Sequence, residues 1–277
     1  MIIRAALAAV LLAMPALAAT EIPFRWTPGQ IEVQVAVNGR PPIWFIVDTG
    51  AEYSILDREV AKSYGITGDR FTGGVTLAIG PVTMRDQTIM LMALDNFRRQ
   101  KREIRGLVGY DFFARHVVTI DFQRRVLLLS QPPAANATRF PLRFAGRLPV
   151  TDGILTIGQK RLKAALMIDT GASQAVVLRH PFAERHGLLA SDARTTTSET
   201  VAAGPTTWIK IPVQQLELGR WKFPSPNVSA YSTTRGAGGY TETDGVLGNE
   251  VLKRFRVTFD YGRKAMWLED GPQFAHP

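Results

Sequence analysis

Asp48-Thr49-Gly50 and Asp169-Thr170-Gly171 are the two places where this chain could hold a reactive carboxylate. Each triplet follows a short apolar run, Trp44-Phe45-Ile46-Val47 before the first and Leu166-Met167-Ile168 before the second. An apolar run bounded by a turn reads as a buried strand. Each Asp therefore stands where a strand breaks into a loop, a costly place for a lone charge. If the two loops meet face to face, both carboxylates share one pocket, where like charges at contact distance do not both ionise. One carboxyl keeps a proton and the other loses it. That arrangement supplies a general acid and a general base, the pair needed to activate water against a peptide carbonyl.

A single Asp-Thr-Gly is ordinary turn chemistry, so the argument rests on the repeat around it. The two Asp residues are 121 positions apart, and the residues from Ile46 to Ala51 align with those from Met167 to Ala172. Further on, the offset becomes 139, pairing Gly80 with Gly219, Gly109 with Gly248 and Asp121 with Asp260. The chain reads as a tandem duplication of one unit, and the difference between the two offsets leaves 18 extra residues in the second copy. They fall within 188–213, where runs 195–201 and 206–211 flank the turn signal Ala202-Ala203-Gly204-Pro205. This pattern predicts a β-hairpin absent from the first copy.

The order of strand, Asp-Thr-Gly-Ala, apolar pair, further strand and apolar-apolar-Gly (Leu107-Val108-Gly109 and Val246-Leu247-Gly248) resembles the aspartic proteases. Ala51 and Ala172 make it more similar to the retropepsin-like branch than to pepsin. The resemblance implies an all-β fold of two tandem aspartic-protease-like β-barrel lobes with a cleft between them and few short helices. It implies that Asp48 and Asp169 form a catalytic dyad holding the lytic water. Thr49 and Thr170 would cross-link the loops, Gly50 and Gly171 would let backbone approach the carboxylates, and the apolar-apolar-Gly segments would support each loop from behind. Pepsin carries a hydroxyl where Ala51 and Ala172 stand, so the dyad here is expected to have a higher acidic limb. The single hairpin implies one flap, given by the second lobe, with Ala202, Ala203 and Gly204 as its substrate-contacting tip. The implied activity is aspartic endopeptidase hydrolysis; the alternative is a non-catalytic peptide-binding or scaffold protein that keeps the fold.

The elements that must position these residues follow from local patterns. Strands are predicted over 31–37, 43–47, 75–79, 88–94, 117–122 and 126–129, with Asn38-Gly39 as a hairpin turn. Helical segments are predicted over 58–64 and through Phe113, then over 181–186 in the second half, and closing strands over 256–260 and 265–268. The Pro-rich stretch 131–138 reads as the linker between lobes spanning 19–130 and 139–277. Met90 and Met92 could line a substrate pocket, although core filling is the commoner use.

Residues 1–18 read as a signal peptide. Arg4 precedes an apolar stretch over 5–14, and Ala16-Leu17-Ala18 is a small-residue cleavage pattern. The run is too short for a membrane span, and the sequence has no Cys. A periplasmic or secreted product is expected, with no stable membrane insertion. The formal charge of +9 implies attraction to anionic surfaces. Its basic residues are scattered, however, and the run from Arg98 to Arg102 reads as a solvated loop, so no nucleic-acid partner is expected. The His residues have no zinc spacing, and neither a Gly-x-Ser-x-Gly elbow nor a P-loop occurs. The expectation is a polypeptide substrate, no metal and no cofactor. Ser54 and Ser173, near the two Asp loops, are expected to brace them. Both halves of the site lie on one chain, so a monomer suffices.

Overall fold

The computed structural model describes residues 20–27, 29–189, 194–200 and 204–271. Strands account for most of it, and the five α-helices are all short. In the first lobe the hydrogen-bonded order is Arg25–Thr27, Gln30–Val37, Ile43–Val47, Ile104–Val108, Ile55–Asp57, Val82–Met92, Phe71–Ile79. Gln30–Val37 also pairs with Phe71–Ile79, which closes six of these strands into a barrel. Ile31, Val33, Val35 and Val37 point inward from one strand and are fully buried, as a period of two requires. The turn after them is Asn38-Gly39, with φ of 48° and 72°, the left-handed pair that a tight hairpin needs.

The second lobe repeats this plan with one change. Leu148–Ile157 pairs with Lys160–Ile168 and with Gln215–Leu218, while Val176–Leu178 lies between Val228–Tyr231 and Gly245–Leu247. The predicted hairpin forms from Thr195–Thr200 and Gly204–Ile211. Its second strand pairs with Val228–Tyr231 through Trp208 to Ile211. It thus takes only the place that the start of Phe71–Ile79 holds beside Val82–Met92, the pairing of its end with Gln30–Val37 being kept by Gln215–Leu218, and among the described residues the second sheet remains open.

A third, six-stranded sheet joins the lobes. Its order is Thr20–Pro23, Val126–Leu129, Val118–Asp121, Phe255–Asp260, Ala265–Asp270, Thr138–Pro141. At its centre Thr119 and Thr258, related by the repeat, face each other with hydroxyls 2.7 Å apart. Phe112, Phe113, Phe255 and Phe259 are buried in the core. Thr138, predicted to end the linker, instead opens a strand of this sheet. Two predicted helices appear at Arg58–Ser63 and His180–Arg185, the first capped by Asp57, whose carboxylate accepts from Glu59 N and Val60 N. The predicted segment before Phe113 is the single turn Tyr110–Phe113. Residues 1–18, including the expected cleavage site, lie outside the described residues. Among the described residues no helix is long and apolar enough to cross a membrane.

Candidate active site

Each Asp is delivered by the last residue of a buried strand whose neighbour runs parallel to it. Ile43–Val47 pairs with Ile104–Val108, and Lys160–Ile168 with Gly245–Leu247. Beyond the strand end the ladder gives one more bond in each lobe, Asp48 N to Val108 O and Asp169 N to Leu247 O, both 2.9 Å. The predicted support from behind is therefore main-chain hydrogen bonding. The glycines that end these segments permit it. A Cβ on Gly109 would lie 2.5 Å from Tyr53 O, and one on Gly248 would lie 2.4 Å from Gln174 O.

The two loops are locked together by their threonines. Thr49 N donates to Thr170 Oγ1 and Thr170 N to Thr49 Oγ1, each at 3.0 Å. The hydroxyls then donate onward across the lobes, Thr49 to Ile168 O at 2.8 Å and Thr170 to Val47 O at 2.7 Å. All four bonds are buried, where leaving a partner unmet is expensive. Gly50 and Gly171 serve the opposite lobe rather than their own. A Cβ on Gly50 would come within 2.6 Å of Asp169 Cγ, and one on Gly171 within 2.7 Å of Asp48 Cγ.

So held, the carboxyls of Asp48 and Asp169 lie each against the opposite loop's glycine, close enough for the two to influence each other's titration. Their environments differ. Burial pushes Asp48 well above the usual carboxylate range, the charge of Asp169 pushes it further, and only Gly50 N, at 2.8 Å from Oδ1, opposes this. Burial also raises Asp169, but its Oδ1 accepts from Gly171 N at 2.7 Å and Ala172 N at 3.1 Å, and Arg179 lies near it. The proton belongs on Asp48 and the charge on Asp169. Where a hydroxyl was expected to be missing, the main-chain N–H of Ala172 reaches the carboxylate. The N–H of Ala51 goes to Asp48 O instead, at 3.2 Å.

The dyad lies at the base of a cleft of about 580 Å³. Its first-lobe wall combines an apolar cluster, Ile46, Ile55, Met92, Phe97 and Leu107, with the polar Gln30, Asn96, Gln100 and Arg102. Met90 packs against the same cluster. The second-lobe wall carries Met167, Val177, Tyr231 and Val246. From the hairpin, Ser198 and Trp208 face the cleft, joined by a 2.7 Å bond from Trp208 Nε1 to Ser198 Oγ. Ala202 and Ala203, expected at the tip, lie outside the described residues, and Gly204 opens the second strand opposite Thr200.

Several site residues carried no signal in the sequence. Arg102, read as part of a solvated run, lines the cleft and bonds Gln30 at 2.5 Å and the buried carboxylate of Glu32. Gln30 in turn donates to Gly171 O at 2.7 Å, so the first lobe's wall braces the second lobe's loop. Asn249 adds a further brace, donating to Thr170 O at 2.6 Å and Gly29 O at 2.7 Å. Ser54 braces its loop as expected, donating to Asp111 and accepting from Gly109 N, whereas Ser173 lines the cleft and packs on Gly29. The loop around Gly236–Gly239 is a 3₁₀ turn whose Ala237 also lines the cleft. Among the described residues no group of three His, Asp or Glu side chains is placed to hold a metal.

A fold of two lobes, each presenting an Asp-Thr-Gly loop to the other, defines the aspartic protease class. Residues 33–112 and 154–251 both match the family model described as aspartyl protease, one match for each half of the duplication. The chain belongs to this family. A search of the curated proteins gives no match.

Proposed function

We propose that this protein is an aspartic endopeptidase that hydrolyses peptide bonds with a water activated between Asp48 and Asp169. The observation that carries the reading is the pair of Asp-Thr-Gly loops cross-linked by Thr49 and Thr170, with each carboxyl packed against the opposite loop's glycine at the cleft. Ionised Asp169 takes a proton from the water as its oxygen attacks the scissile carbonyl, and Asp48 gives its own proton to the carbonyl oxygen. Collapse of the tetrahedral species transfers a proton to the leaving amine and breaks the C–N bond. The hairpin 195–211 acts as the single flap that covers the substrate and limits water.

We further propose that the chain is exported to the periplasm or beyond, on the strength of the leader pattern ending near Ala18. It works as a soluble monomer, since one chain carries both Asp loops. The test is degradation of an unfolded protein such as casein from acidic to neutral pH, with Asp48→Asn in parallel. Cleavage by the wild type alone supports the reading; peptide binding without cleavage at any pH would replace it with a peptide-binding scaffold.

A further inference from the structure

The two walls of the cleft are related by the duplication and each carries an arginine, but Arg102 of the first lobe is paired with Glu32 whereas Arg179 of the second is buried without such a salt bridge among the described residues. Arg179 follows strand Val176–Leu178 and lines the cleft while only 4% exposed. Its guanidinium packs near the rings of Tyr231 and Tyr240, 5.6 and 5.5 Å from their centroids, and donates from Nη1 to Ala237 O at 2.7 Å. Its Nε is buried with no hydrogen-bond partner. Among the described residues none of its nitrogens forms a salt bridge, and Asp169 acts on it only at longer range. The nearby Asp244 is engaged by Arg185 at 3.1 Å and by Ala165 N. At the repeat-related position of the first lobe, Arg58 turns away from the cleft and binds the carbonyls of Asp69 and Leu91.

A buried donor left without a hydrogen-bond partner is costly to hold, and the charge of Asp169 reaches this guanidinium only through space. Its planar fork is suited to a carboxylate. We propose that Arg179 makes the second-lobe side of the cleft a subsite for an acidic side chain of the substrate, glutamate or aspartate. The aliphatic stem would lie along Val177, Trp208 and Tyr231 and the carboxylate would meet Arg179. The first-lobe side, where the cluster of Ile46, Ile55, Phe97 and Leu107 lies beside an Arg102 already paired with Glu32, takes an apolar residue. The preferred cleavage site thus pairs an acidic residue on one side with an apolar residue on the other. This deepens the endopeptidase reading and rests on it for the word substrate.

The test uses peptides amidated at the C-terminus, so that the only carboxylate varied is one side chain, in matched pairs with Glu or Gln at the second-lobe subsite. Binding is measured by calorimetry on the Asp48→Asn protein, and cleavage on the wild type. The Glu peptide is expected to bind at least about 10-fold more tightly than its Gln partner, the scale of one charge-assisted hydrogen bond. Arg179→Gln should abolish that ratio, which is read within the variant so that any general change in affinity cancels. If Arg179→Gln does not fold, Arg179→Lys carries the test, since it keeps the charge, loses the fork and should lower the ratio several-fold. Equal binding of the pair, or a ratio unchanged in the variant that folds, overturns the proposal. Cleavage without any Glu preference would remove the subsite and leave the protease; a Glu preference in binding without cleavage would do the reverse.

Discussion

Thr49 and Thr170 each accept the other's main-chain N–H on the side-chain hydroxyl, at 3.0 Å in both directions. This reciprocity makes the two Asp loops one rigid object. Thr49→Val removes the acceptor for Thr170 N and the donor to Ile168 O. Two buried groups lose partners, at about 1–3 kcal/mol each, so a loss of about 3 kcal/mol in denaturant unfolding is expected. Thr49→Ser should recover most of it. A Val variant as stable as wild type would mean that the bridge contributes nothing net.

Gly171→Ala should damage activity more than stability. The added Cβ would come within 2.7 Å of Asp48 Cγ, so the carboxyl must move off its partner. A displacement near 1 Å at a reacting group costs about 100-fold in rate, and kcat/KM is expected to fall by at least that much. Gly65→Ala is the control for introducing a methyl group elsewhere, because nothing lies near its Cβ; its positive φ of 72° confines the effect to stability.

The pH dependence has a definite sign. Asp48 is raised well above its ordinary range, first by burial and then by the charge of Asp169. The folded state therefore holds this proton more tightly than the unfolded chain does. The resulting stability is complete below the unfolded value of about 3.9 and is lost as pH rises through the raised value. Melting curves of wild type and Asp48→Asn should diverge toward neutral pH, the wild type falling relative to the variant. Parallel curves would show that Asp48 titrates normally. Catalysis should decline over the same interval, because the acid form of the pair disappears, and on the acidic side as Asp169 takes a proton.

Removing residues 196–207 should cripple turnover and leave the fold in place. The strand Gly204–Ile211 is held to Val228–Tyr231 through Trp208 to Ile211, which the deletion keeps while removing the bond from Ser232 N to Thr207 O. The loss should appear mainly in kcat for peptides, with a melting midpoint within a few degrees of wild type. Full activity without the hairpin would show that the cleft works uncovered.

The dyad, its threonines and its supporting glycines were legible because each occurs twice at a fixed offset, and a repeat exposes what single triplets hide. The hairpin was legible for the converse reason, as the one stretch that the first copy lacks. Arg179 gave no such signal. Its repeat partner is also an arginine, Arg58, and only the folded chain separates the buried side chain from the one turned outward. Arg102 was hidden in a charge run, because burial of Glu32 beside it depends on a strand some seventy residues away in sequence. The shared sheet was half visible: strands 117–122 and 256–260 were predicted, but nothing local says that Thr119 will face Thr258. Strands Thr20–Pro23 and Arg25–Thr27 were missed because each is short and takes its stability from its partner strand.

The central claim is that Asp48 and Asp169 act as one unit. It is tested most directly by kcat/KM for one peptide with wild type, Asp48→Asn, Asp169→Asn and the double variant, all shown to be folded. Each single substitution should lower the rate by about 1,000-fold or more, and the double variant should be no slower than the worse single one. Losses that multiply in the double variant, or either single variant retaining a rate within about tenfold of wild type, would contradict a shared dyad.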